Sequence, residues 1–170
     1  VRRYQSRPDL QVELMEIEFK PWPKTPRLYR PVTITEKIDG TNAQIHITDE
    51  GEFLVGSRTR YITEKDDNYG FARWALANKE ELIKLGPGRH FGEWWGSGIQ
   101  RGYGLQKGEK RFSLFNVHRW ADPAVRPACC SIVPIVAMRD GLEALDVIEI
   151  MDGLRNHGSL AAPGFMKPEG

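Results

Sequence analysis

Lys37 and Asp39 lie two residues apart in Thr35-Glu-Lys-Ile-Asp-Gly-Thr-Asn-Ala-Gln-Ile-His-Ile47, a stretch whose residue types suit covalent chemistry. A lysine is ordinarily a cation, with a pKa of about 10.4, and is then no nucleophile. A desolvating pocket or neighbouring cations can lower that value and free the amine to attack. Before this pair, Pro31-Val-Thr-Ile-Thr35 alternates like a strand; after it, Ala43, Ile45 and Ile47 share one face of a second. Gly40 can turn the chain between them at low steric cost. The lysine and aspartate are therefore expected just ahead of a turn on rigid supports, where a strand-borne lysine can be buried and aimed. Taken alone, Lys-x-Asp-Gly describes a solvent-facing hairpin equally well, because short patterns recur by chance.

Other elements must bring partners to that pair. Glu52–Val55 follows a turn at Asp49-Glu-Gly51 and should pair with 43–47 as a hairpin, which leaves Arg58 and Arg60 at its end as candidate phosphate clamps. Residues 68–85 read as a helix with Phe71, Trp74, Ala75, Leu82 and Leu85 on one stripe, stopped by Gly86-Pro-Gly88. His90–Ile99 starts as a strand and dissolves into glycines, with Glu93 embedded among aromatics. A buried carboxylate needs a donor, such as a sugar hydroxyl or a basic side chain. Residues 111–117 predict a buried strand, 131–137 an edge strand because of Pro134, and 142–156 a second helix capped near Gly158. Upstream, 13–19 predict a short strand and 20–28, with three prolines, an extended arm.

At 170 residues the chain has room for one domain with a real core. A net charge of +1 gives no global basic signature, so any nucleic-acid contact must be a local patch. No apolar run nears the roughly 20 residues of a membrane span, and Val1-Arg-Arg-Tyr-Gln-Ser-Arg7 lacks the apolar core of a signal peptide. Cys129 and Cys130 read as reduced core residues, which favours a reducing, cytoplasmic compartment. Four scattered histidines show no zinc-ligand spacing.

Five collinear motifs then carry a resemblance: Glu36–Asn42, Ser57-Arg58, Phe91-Gly-Glu93, Phe112-Ser-Leu-Phe115 and Lys167-Pro-Glu-Gly170. In that order they resemble the covalent nucleotidyltransferase superfamily of ATP-dependent ligases and mRNA capping enzymes, and within it the phage-type RNA ligases. Asn42, where DNA ligases and capping enzymes usually carry arginine, favours an RNA ligase. The resemblance implies an α+β, ATP-grasp-like adenylation domain of antiparallel sheets with flanking helices, the nucleotide lying between the sheets. It implies ATP and Mg2+ or Mn2+ as cofactors, RNA ends as partners and a monomer acting in a cytoplasm. Lys37 would carry AMP, and Asp39 and Asn42 would organise the metal's waters and the phosphate. Glu36 would read the adenine edge, Arg58 would contact the nucleotide or RNA end, and Glu93 would accept from the ribose. Phe115 would stack on the purine and Glu169 would bind metal.

Two departures qualify the likeness. Asn116 follows the stacking Phe115 where many relatives carry aspartate, and the family's last motif, a Lys-x-Lys strand, has no counterpart before Gly170. The chain is therefore expected to be a single domain cut short at its C-terminal end. The alternatives are a catalytically impaired module of the same fold that holds nucleotides or RNA ends, and a relative of DNA ligases or capping enzymes.

Overall fold

The alternation at Ala43, Ile45 and Ile47 builds the larger of the two sheets among the described residues. In the computed structural model, which describes residues 30–141 and 143–170, all three side chains are buried. They lie on β2 (Thr41–Ile47), which pairs with β3 (Phe53–Ser57) as the expected antiparallel hairpin, Ile45 opposite Val55. The other edge of β2 pairs with β4 (Gly88–Gly96), and β4 with β5 (Lys110–Leu114). A short β6 (Cys130–Ile132) closes the order β3-β2-β4-β5-β6 and runs parallel to β5, so the sheet is mixed rather than wholly antiparallel. Cys130 is buried in its core and Cys129 packs against it.

A second sheet has two strands, β1 (Val32–Thr35) and β7 (Ile135–Arg139). The sequence predicts one strand over 131–137; instead the chain leaves one sheet at Ile132 and enters the other at Ile135. Pro134 has no N–H to continue a ladder, so the break falls there. Likewise β1 and β2 do not form a hairpin: residues 36–40 cross between the sheets.

The helix predicted over 68–85 is three pieces, α1 (Phe71–Ala77), α2 (Lys79–Leu82) and a 3-10 turn at Ile83–Leu85. The break falls at Asn78, whose backbone leaves the helical region at φ −107° and ψ 17°; its N–H still reaches the Trp74 carbonyl at 3.0 Å, and its side-chain amide shares that acceptor at 2.8 Å. The stripe still packs as expected. Phe71 is fully buried, with ring centroids 5.3 Å from Trp94 and 5.0 Å from Phe112. The second predicted helix is α3 (Ala144–His157), whose C-terminus meets Gly158 at φ 78°. The expected strand at 13–19 and arm at 20–28 lie outside the described residues. Among the described residues, no helix is long and apolar enough to cross a membrane.

Candidate active site

The crossing segment 36–40 alternates in burial although it is not a strand. Glu36 and Ile38 point inward, 1% and 5% exposed, while Lys37 faces outward. Ile38 joins a second apolar cluster with Trp95, Tyr103, Val117 and Val133. That anchor, one residue from each, presents Lys37 and Asp39 to the same cavity. Gly40 closes the segment against β4, where a Cβ would meet the Trp94 carbonyl oxygen at 2.5 Å. Any other residue would push the loop off the strand.

The cavity measures about 570 Å³, within the range of small-molecule sites. Its walls bring together Glu36, Lys37, Asp39, Asn42, Arg58, Glu93, Phe115 and Glu169, every residue to which the resemblance gives a role. They come from the crossing segment, β2, the end of β3, β4, the exit of β5 and the 167–170 segment. The second candidate clamp, Arg60, is absent from these walls and pairs instead with Asp66.

Lys37 departs from its expectation. Its side chain is 72% exposed, not buried, and its Nζ pairs with the Glu169 carboxylate. The alternation explains this: the inward positions belong to Glu36 and Ile38. The amine is therefore open to solvent and to a ligand entering the cavity.

Glu36 accepts three hydrogen bonds, from Ser159 Oγ at 2.6 Å and the amides of Leu160 and Ala161 at 2.8 and 3.0 Å. Its carboxylate thus fastens the 159–161 loop beneath the site. Glu93 finds its donors within the chain, Gly40 N–H at 3.1 Å and Asn42 Nδ2 at 3.0 Å. Burial pushes its carboxyl above the ordinary value; those two bonds pull it back, and the charges of Asp39 and Glu169 add to the rise. Phe115 is 42% exposed at the cavity wall, because β5 ends at Leu114 and frees it from the core alternation.

Two residues here escaped sequence reasoning. Arg101 donates from Nε to the Asp39 carboxylate at 2.9 Å and from Nη1 to the Lys167 carbonyl at 3.0 Å. Buried Tyr103 accepts from the Asp39 amide at 2.8 Å through its hydroxyl. Both sit in a glycine-rich stretch with no periodicity, so only the identity of Arg101 as a cation offered a signal.

Among the described residues, no group of three or more His, Cys, Asp or Glu side chains is arranged to hold a metal ion by itself. The carboxylates of Asp39, Glu93 and Glu169 do offer hard oxygen donors around one cavity. Such a set suits Mg2+ or Mn2+ when substrate phosphates and water complete the shell.

A family model for RNA ligase matches residues 30–162. Solved structures with similar folds include a variant of Naegleria gruberi RNA ligase with AMP and Mn. It is 22% identical, with a TM-score of 0.58 over 74% of this chain and 42% of that one. A second variant of the same protein, with ATP and Mn, is 20% identical with a TM-score of 0.56, over 72% and 41%. A third, apo, is 20% identical with a TM-score of 0.55, over 72% and 40%. The chain thus spans less than half the length of these structures. No curated protein matches it.

Proposed function

The chain belongs to the RNA ligase family, and from that premise we propose that it is the nucleotidyl-transferring unit of an ATP-dependent RNA ligase, with Lys37 as nucleophile. The convergence of eight side chains from six segments on one nucleotide-sized cavity carries the reading. In the first step Lys37 Nζ attacks the α-phosphorus of ATP; a P–N bond forms, the bond to pyrophosphate breaks, and the amine gives up its proton. In the second, an oxygen of an RNA 5′-phosphate attacks that phosphorus, the P–N bond breaks and AMP passes to the RNA. In the third, a 3′-hydroxyl attacks the activated phosphate, releases AMP and seals the strand.

Each displacement is in line, so positioning and charge neutralisation supply most of the catalysis. Lys37 must first leave Glu169. Phosphate charge arriving in the cavity offers it a competing anion, and the Glu169 carboxylate, once released, would be free to help hold a divalent ion. Glu169 and Asp39 are the residues that would hold the ion, directly or through water. A bound divalent ion supplies neutralisation of phosphate charge. Asp39 is kept in place by Arg101, and Asn42 by Glu93. Phe115 offers the purine an exposed ring, where stacking is worth about 1–3 kcal/mol. Arg58 reaches the phosphate or the RNA end, Glu93 retains lone pairs for ribose hydroxyls, and Glu36 borders the adenine.

Incubation with ATP radiolabelled at the α-phosphate and Mg2+ or Mn2+ tests this. Covalent label is expected on the wild type and none on Lys37→Ala. Undiminished label on the alanine variant would remove Lys37 as the nucleophile.

A further inference from the structure

Beyond the cavity, the face of the five-stranded sheet turned away from its main apolar cluster carries side chains that the proposed chemistry leaves unused. Register fixes their arrangement: Asn42, Gln44 and His46 on β2 stand opposite Glu93, Phe91 and Arg89 on β4. Side chains alternate along a strand, so all six lie on the side opposite buried Ala43, Ile45 and Ile47. From the Asn42–Glu93 pair at the cavity, two same-face steps lead through Gln44–Phe91 to His46–Arg89, a distance of about 13 Å. Tyr61 extends the row. Its hydroxyl lies 2.6 Å from His46 Nδ1, and its ring stacks on the imidazole at 6.0 Å.

Phe91 and Tyr61 are 50% and 46% exposed, unusually open for aromatics on a sheet. Phe91 walls a second hollow of about 430 Å³ that shares Asn42, Arg58 and Phe115 with the first cavity. On its other side Arg89 and Arg119 border a hollow of about 150 Å³. Among the described residues no carboxylate pairs with Arg58, Arg89 or Arg119. The Arg119 guanidinium is held open by the Leu85 carbonyl at 3.0 Å and by the Trp120 ring at 4.6 Å.

We propose that this face is a platform for a short single-stranded RNA segment beside the end being joined. Its bases stack on Phe91 and Tyr61, and its phosphates meet Arg89 and Arg119. Exposed aromatics on a sheet bind splayed bases, whereas a duplex keeps its base faces covered. Cations with no carboxylate partner complement a polyanion rather than a mixed-charge protein surface. The proposal rests on the ligase reading for which end is joined; binding itself does not need that chemistry.

The test is fluorescence anisotropy of a labelled single-stranded oligoribonucleotide without ATP, alongside covalent AMP labelling without RNA. Phe91→Ala and Tyr61→Ala should each weaken RNA binding about tenfold. Arg89→Ala should lower the slope of log affinity against log salt by about 0.7. AMP labelling should be unchanged in all three, which shows that each variant folds. Binding unaffected by either aromatic substitution, or duplex held as tightly as single strand, overturns the platform. Self-association lost in Phe91→Ala would likewise overturn it and assign the face to a second copy. A wild type that binds RNA through these residues yet takes no AMP overturns the ligase reading alone.

Discussion

At Glu93, burial and hydrogen bonding act against each other. Burial raises its carboxyl more than the bonds from Asn42 and Gly40 lower it, so the native state keeps the proton to a higher pH than the unfolded chain. The stability it contributes is complete below the unfolded value of about 4.3 and is lost as pH rises through the raised native value. Glu93→Gln removes this titration, and Asn42 can turn its amide to present oxygen to the new NH2 group. Denaturation midpoints between about pH 4 and pH 7 should show the wild type losing ground to the variant as pH rises; parallel curves would refute the assignment. Arg101 makes a different case. It is 43% exposed, so its ion pair with Asp39 adds at most about 1 kcal/mol to stability. It nevertheless fixes Asp39 and the segment carrying Glu169. Arg101→Ala should leave the melting temperature nearly unchanged and slow AMP labelling at least about tenfold; an unchanged rate would show that Asp39 needs no such tie. The eight residues on the cavity wall lie in short motifs that resemble a family's, and each such motif can be read locally. Arg101 meets Asp39 across 62 positions, and nothing local encodes that contact.

At the scale of elements, periodicity was legible wherever one face is buried and failed where a single side chain redirects the backbone. The β2–β3 hairpin and the Phe71 stripe follow from alternation and helical spacing. The split of 131–137 turns on whether a proline interrupts a strand or ends it, which depends on a second sheet lying within reach. The break at Asn78 turns on one residue leaving helical φ and ψ, with its side-chain amide added to the Trp74 carbonyl. Lys37 belongs here too: its exposure follows from the inward turn of Ile38, which the crossing between sheets imposes and no alternation on either flank reveals. Neither break loosens the core, because α1 still delivers Phe71 between Trp94 and Phe112. Phe71→Ala should cost about 3–5 kcal/mol. Trp74→Ala, at a half-buried position, should cost less. Urea denaturation of the two variants gives the order, and equal losses would mean that the stripe packs differently from the arrangement here.

The described residues form two sheets of unequal strength joined by the segment that bears Lys37. The larger rests on the main apolar cluster, from Ile45 and Val55 to Trp94 and Leu114. The smaller has two strands, with β1 nowhere fully buried and Met138 on β7 60% exposed. A two-stranded ribbon is marginal by itself, so its ties must hold it. Those ties include the crossings at 36–40 and 133–134, the Thr33–His118 contact at 3.0 Å, the Arg139–Asp146 pair to α3 at 3.2 Å, and the Glu36 carboxylate under loop 159–161. Regions held by few contacts open locally before the whole unfolds. Amides of β1 and β7 should therefore exchange with deuterium sooner than those of β2 and β4. Glu36→Ala sharpens the prediction, because it leaves Ser159 Oγ and two backbone amides without their acceptor, each loss worth about 1–3 kcal/mol. Exchange should then quicken in β1, β7 and residues 158–162 while β2 and β4 keep their protection. AMP labelling should fall with it, since Lys37 shares the loosened segment. Exchange that quickens equally across both sheets would show that they open as one unit, and that the lysine is steadied by the larger sheet alone.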